Sequence, residues 1–250
     1  MKITILQRNI EWANPQANVA RADEAISCLP DSDLFVLPEM FSTGFCTQPE
    51  GIAESETLHW MKRKAAERNC AIAGSVAVCE NGNYYNRFYF VHPDGTVQHY
   101  DKKHLFTFGG EHKRFTAGTE RVVVNFRGVR ILLEVCYDLR FPVWARNLGD
   151  YDMILYVASW PTPRVDAWSA LLRARAIENQ CYVAGVNRMG VDPACEYSGG
   201  SAIIDPYGKT IAECPWSRES AVSADIDMEA LQAFRKKFPV LDDADPFTLI

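Results

Sequence analysis

The chain has 250 residues, with 32 acidic and 26 basic side chains and a formal net charge of −6. That balance, with no basic run to offset it, argues against a nucleic-acid binder, and no apolar stretch approaches the roughly 20 residues that span a bilayer. With 48% apolar and 23% charged residues, the composition suits one sizeable α/β domain over residues 1–250.

Residues 2–8 alternate as a first strand, too short an apolar segment for a signal peptide. Asn14-Pro15 is a turn or helix start, after which Val19, Ala22, Ala25, Ile26 and Leu29 recur at helical spacing over 18–29. The apolar run 34–37 is a buried strand ended by Pro38, and Glu39 follows it. A carboxylate there stands where open α/β sheets build their sites. A solvated loop glutamate is the plainer reading of that residue alone. Residues 54–69 form an amphipathic helix, and 71–78 a strand whose Gly74 and Ser75 permit close packing. Segments 84–91 and 96–100 flank Pro93-Asp94-Gly95, turn residues of a hairpin. Lys102 and Lys103 then interrupt the passage from strand into Leu105-Phe106. A lysine pair is ordinarily a solvated face, but here one of the two is expected to turn inward.

A second hairpin pairs 121–126 with 129–135 around Arg127-Gly128 and delivers Cys136 at the end of a buried arm. Asp138 reads as an N-cap and Pro142 as a first-turn residue, so the pattern predicts a helix over 138–148 stopped by Gly149. A thiol between a buried strand and a helix is exposed as a nucleophile beside free backbone N–H groups. The alternative is a core cysteine, among the most buried residue types. Further on come a strand over 153–158 ending at Ser159-Trp160-Pro161, a helix over 165–178, and a strand over 181–186 running into Asn187-Arg188. A third hairpin pairs 201–204 with 209–213, and a strand over 221–226 and a helix over 228–238 close the pattern. Strands and helices interleave with no Pro/Gly/Ser-rich linker. They predict a single-domain four-layer α-β-β-α sandwich, two sheets packed together with helices outside. The eight cysteines are scattered without a C-x-x-C pair and read as reduced thiols, which places the protein in the cytoplasm.

Glu39, Lys102 and Cys136 therefore share one kind of position, just past a strand. A thiol is only a few per cent ionised at neutral pH and needs a base to become a nucleophile. A carboxylate can be that base, and a buried ammonium can stabilise both the thiolate and an oxyanion. No histidine is required, and His104 reads as a hydrogen-bonded structural residue. No His/Cys/Asp cluster has metal-ligand spacing, so neither metal nor cofactor is expected.

With these residues in place, the chain resembles the nitrilase superfamily of carbon–nitrogen hydrolases. The matching segments are Leu37-Pro38-Glu39-Met40-Phe41, Tyr100-Asp101-Lys102-Lys103-His104-Leu105-Phe106 and Val135-Cys136-Tyr137-Asp138-Leu139-Arg140-Phe141-Pro142. Arg173 to Gln180 and Ser198-Gly199-Gly200-Ser201 add to them in the family's order. The resemblance implies a triad of Glu39 as general base, Cys136 as nucleophile and Lys102 as electrostatic partner of the oxyanion. It further implies the Tyr137 backbone N–H as a second oxyanion donor and Glu111 as the glutamate that orients Lys102. Choosing Lys102 over Lys103 rests on aligning His104-Leu105-Phe106. Around Cys136 and Ser159-Trp160-Pro161 the likeness is to bacterial omega-amidases. Those enzymes release ammonia from 2-oxoglutaramate or 2-oxosuccinamate through a cysteine thioester. A substrate with a distal carboxylate calls for a cation opposite the triad; Arg188, Lys113 and Arg114 are the candidates, with Trp160 as a further substrate contact. The resemblance also implies a homodimer or higher assembly. Other small-amide, carbamoyl and nitrile hydrolases share such a triad, and a catalytically idle binding protein is the non-enzymatic alternative.

Overall fold

The computed structural model describes residues 1–50 and 56–248. The first half carries β1 (Lys2–Gln7), α1 (Pro15–Cys28), β2 (Leu34–Val36), α2 (Glu56–Arg68), β3 (Ala71–Glu80), β4 (Asn83–Val91) and β5 (Val97–Asp101). The second half begins with β6 (Val123–Phe126), β7 (Val129–Val135), β8 (Met153–Ala158), α3 (Val165–Glu178) and β9 (Tyr182–Asn187). It continues with β10 (Met189–Val191), β11 (Glu196–Ser198), β12 (Ala202–Ile204), β13 (Thr210–Glu213), β14 (Ser220–Asp225) and α4 (Met228–Lys237). The first two residues of the expected helix 54–69 lie outside the described residues.

Two six-stranded sheets result, ordered β14-β1-β2-β3-β4-β5 and β13-β12-β9-β8-β7-β6. Each has a parallel centre, β1-β2-β3 in one and β7-β8-β9 in the other, with antiparallel strands at the flanks. Parallel strands covered on both faces must be apolar throughout, and every residue of β8 is buried. Alternation sorts the side chains into layers. Ile131, Leu133 and Val135 of β7 meet Ile3, Ile5, Val36 and Phe88 of the other sheet in one core. Leu132, on the opposite face, packs with Trp168, Leu172 and Ala176 of α3. Across the molecule Leu6, Phe35 and Ile72 pack with Ile26 of α1 and Trp60, Met61 and Ala65 of α2. This is a single-domain sandwich of four layers. Helix α1 starts earlier than its apolar spacing indicates, because Asn14 Oδ1 accepts the Ala17 N–H at 3.2 Å and Pro15 opens the first turn.

The helix expected over 138–148 does not form. Cys136–Arg140 makes a 3₁₀ turn instead. The Asp138 carboxylate is occupied elsewhere: it accepts the Val135 N–H (3.0 Å), the His104 N–H (2.9 Å) and the Tyr100 hydroxyl (2.8 Å), with His104 Nδ1 at 2.7 Å. A side chain tying two loops together cannot cap a helix as well. His104 is held by that pair and stacks on Phe141, the ring centroids 3.8 Å apart. The short β10–β11 hairpin lies where the sequence shows no alternation.

Candidate active site

Three loops leave the strand ends on one side of the sandwich. After β2, the Leu37 N–H bonds to Ala73 O (2.8 Å), the Met40 N–H to Ser75 Oγ (2.9 Å) and the Phe41 N–H to Ser75 O (3.1 Å). This loop therefore lies flat along β3 with Glu39 in its middle. Gly74 is what lets it do so, since a Cβ there would stand 3.0 Å from both Leu37 Cβ and Phe41 Cδ1. Strands β3, β4 and β5 alternate in direction, so β5 ends on the same side as β2, and the Lys102 N–H extends the ladder to Asn86 O at 3.0 Å. Strand β7 brings Cys136 from the facing sheet. Met40 and Cys136 hold positive φ angles of 44° and 48°, an uncommon backbone state for side chains with a Cβ that concentrates at functional turns.

The three loops meet in a buried polar cluster. Lys102 Nζ donates to Glu39 Oε1 at 2.9 Å and to Glu111 at 3.0 Å (Oε2) and 3.2 Å (Oε1). None of the three side chains reaches solvent. Asn86 Nδ2 donates to Glu39 Oε1 (2.8 Å) and Glu111 Oε1 (3.1 Å), and the Phe106 N–H to Glu111 Oε2 (2.6 Å). Glu39 Oε2 takes the Ser159 N–H at 2.8 Å. The Cys136 thiol lies beside Glu39, within reach of the Ser159 N–H and the field of Lys102. Lys103 is half-buried, its ammonium 5.2 Å from the Trp144 ring centroid, so the lysine of the cluster is Lys102.

Burial and the charges present set the protonation states. Burial and the Glu39 carboxylate push the Cys136 thiol well above its ordinary value, against the pull of Lys102. The resting group is a thiol that needs a base. Burial by itself would lower Lys102, but Glu111 and Glu39 outweigh it and hold the group as an ammonium. Burial raises Glu111, and Glu39 adds to this while Lys102 opposes it.

A cavity of about 570 Å³ opens above Cys136, with Glu39, Tyr137, Arg140, Trp160 and Arg164 in its wall. Glu111 and Lys102 lie beneath this floor. The cations expected from sequence are elsewhere. Lys113 and Arg114 point into solvent, because the 3₁₀ turn that buries Glu111 turns them outward, and Arg114 pairs with Glu50 at 3.2 Å. Arg188 is fully buried behind the wall. It donates to Ile10 O at 3.0 Å, lies 4.5 Å from the Tyr197 ring centroid and faces Asp192 at 3.7 Å. The arginines that face the cavity are Arg140, 4.9 Å from the Trp160 ring centroid, and Arg164, 5.5 Å from that of Phe106. Arg140 sits within the Cys136 motif, four residues after the thiol. Arg164 carries no local signal. Asn86 and Ser159 were missed as site residues, since a strand asparagine, or a serine just past a strand, looks ordinary until its partners are known.

The sequence and the fold have known counterparts. Residues 2–236 match the family model described as carbon-nitrogen hydrolase. The chain is 48% identical to the omega-amidase YafV of Escherichia coli (strain K12), covering 100% of this chain and 98% of that protein. It is 37% identical to the 2-oxoglutaramate amidase of Bacillus subtilis (strain 168), over 96% of each. A CN-hydrolase superfamily protein of Xanthomonas campestris, whose crystal structure carries an arsenic adduct in its active site, superposes with a TM-score of 0.96. That protein is 42% identical, with 100% of this chain and 98% of that one covered. The buried glutamates and lysine around a strand-end cysteine, and these full-length matches, lead to one conclusion: the chain belongs to the carbon–nitrogen hydrolase family.

Proposed function

We propose that the protein is an omega-amidase, hydrolysing the terminal amide of a 2-oxo dicarboxylic acid monoamide such as 2-oxoglutaramate to the 2-oxo acid and ammonia. The single observation that carries the reading is the position of Cys136. It lies beside Glu39 and buried Lys102, at the base of a cavity whose wall holds two arginines. Glu39 takes the thiol proton, and the Cys136 sulfur attacks the amide carbon. Negative charge gathers on the carbonyl oxygen, where the Lys102 ammonium and the Tyr137 N–H would receive it. Collapse breaks the C–N bond, and the proton on Glu39 leaves with ammonia. Water, deprotonated by Glu39, then cleaves the thioester and restores the thiol.

Arg140 and Arg164 supply the positive charge for the distal carboxylate, and Trp160 a flat wall beside it. A charge-assisted contact of this kind contributes roughly 1.5–3 kcal/mol, about ten- to a hundredfold in binding. The test is ammonia release. The ratio of kcat/KM for 2-oxoglutaramate over an equally long aliphatic monoamide without the carboxylate is expected to be at least about tenfold. Arg140→Ala and Arg164→Ala should shrink that ratio. Equal kcat/KM values in the unaltered enzyme would reduce the reading to a general aliphatic amidase.

The eight cysteines are all unpaired, which supports a reducing compartment, the cytoplasm. Among the described residues no helix is long and apolar enough to cross a membrane. Exposed Ile177, Tyr207 and Phe238 support self-association into a homodimer or larger assembly; sedimentation at several concentrations tests it.

A further inference from the structure

Asn86 occupies an unusual place for a strand residue. Its side chain is fully buried on β4, and both protons of its amide are used on carboxylates, one on Glu39 Oε1 and one on Glu111 Oε1. Its own carbonyl oxygen Oδ1 has no hydrogen-bond partner among the described residues. A buried amide that leaves its acceptor unpaired is costly, yet the orientation is forced. Turned over, the amide would set Oδ1 against two carboxylate oxygens.

The consequence lies in the lone pairs of Glu39. Each carboxylate oxygen accepts about two hydrogen bonds. Oε1 already has two donors, Lys102 Nζ at 2.9 Å and Asn86 Nδ2 at 2.8 Å. Oε2 has one, the Ser159 N–H at 2.8 Å. The free acceptor capacity of the base is therefore on Oε2. We infer that Asn86 is a positioning residue that, with Lys102, saturates Glu39 Oε1, directs the thiol proton of Cys136 to Oε2, and clamps the two glutamates side by side. No bond to substrate is involved. The transfer is thiol to carboxylate: the S–H bond breaks, an O–H bond forms on Oε2, and the electron pair stays on sulfur. This rests on the assignment of Cys136 as nucleophile and Glu39 as base.

The groups facing Glu39 from the surrounding loops are Lys102, Glu111 and Cys136, so loss of the Asn86 donors leaves two carboxylates sharing one ammonium. The negative charge of the paired carboxylates is then less compensated. Asn86→Leu removes both donors at similar volume. Asn86→Ser keeps one donor in a smaller side chain and guards against a leucine variant that does not fold. For each variant, kcat and KM on 2-oxoglutaramate are measured across pH. In parallel, alkylation of Cys136 by iodoacetamide is followed by peptide mass spectrometry, a readout needing no substrate. The expected result is a fall of about a hundredfold in kcat for Asn86→Leu with KM nearly unchanged. The acid limb of kcat/KM and of Cys136 alkylation should both move up by about one pH unit. Asn86→Ser should fall between the two. A folded Asn86→Leu or Asn86→Ser enzyme with unaltered kcat and an unmoved acid limb would overturn the inference. Turnover retained by Cys136→Ala would instead overturn the nucleophile assignment, so the two failures are separable.

Discussion

Glu134 stands two positions before Cys136 on β7, and strand alternation turns it away from the core between the sheets, toward α3. It is fully buried, and neither carboxylate oxygen has a hydrogen-bond partner among the described residues. Burial, and then the negative charge of Asp138, raise its pKa well above the ordinary value, against Arg121 and Arg175. Between the unfolded and the raised folded pKa, the native state holds a proton that the unfolded chain has lost. Stability therefore falls as pH rises through that window, by up to about 1.4 kcal/mol per pH unit. Glu134→Gln should remove the slope, so its melting temperature relative to the parent should be higher near about pH 8 than near about pH 5. An unchanged difference at the two pH values would show that the carboxylate finds partners. At the proposed nucleophile, Cys136→Ala should abolish ammonia release, and Cys136→Ser should leave little of it, because an alkoxide is far harder to form than a thiolate. Cys181 is fully buried, so Cys181→Ala should lower stability without touching the chemistry. Cys79 is exposed, and its replacement should do neither.

At the scale of elements, the contact between α3 and β9 is the tightest test. Gly185 lies under the helix, and a Cβ there would stand 2.8 Å from Trp168 Cζ2 and closer still to Leu172. Gly185→Ala should cost about 1–3 kcal/mol by forcing the helix outward, read as a lower denaturation midpoint. Asn14→Ala removes the cap of α1 and should cost about 1 kcal/mol. The long elements were legible because their periods are clean: β7, β8 and α3 stand where the apolar pattern puts them. The turn after Cys136 was misread because capping is a competition. Asp138 carries a cap signature, but His104 and Tyr100, more than thirty residues away, claim its oxygens.

On the scale of the molecule, Glu39 and Lys102 belong to one sheet and Cys136 to the other, joined by a core drawn from both. On the proposed assignment, activity requires the sandwich to be closed. Leu133→Ala, at the centre of that core, should cost about 2–5 kcal/mol. Loss of activity and loss of the circular-dichroism signal should follow the same denaturation curve. Activity lost well before the fold would mean that the sheets separate as independent units.

The order of apolar runs and turn residues determined the four-layer architecture, and the three strand-end residues pointed to a thiol with a carboxylate base, because both are encoded locally along the chain. The arginines of the cavity wall, the Asn86 contacts with both glutamates and the position of Arg188 were decided only by tertiary structure. Arginines can be told apart by what their guanidinium groups meet, and those partners come from distant segments: Ile10 and Tyr197 hold Arg188 behind the wall, while Trp160 and Phe106 seat Arg140 and Arg164 within it. Local pattern places a side chain at the end of a strand; which charge it faces there depends on how the two sheets close.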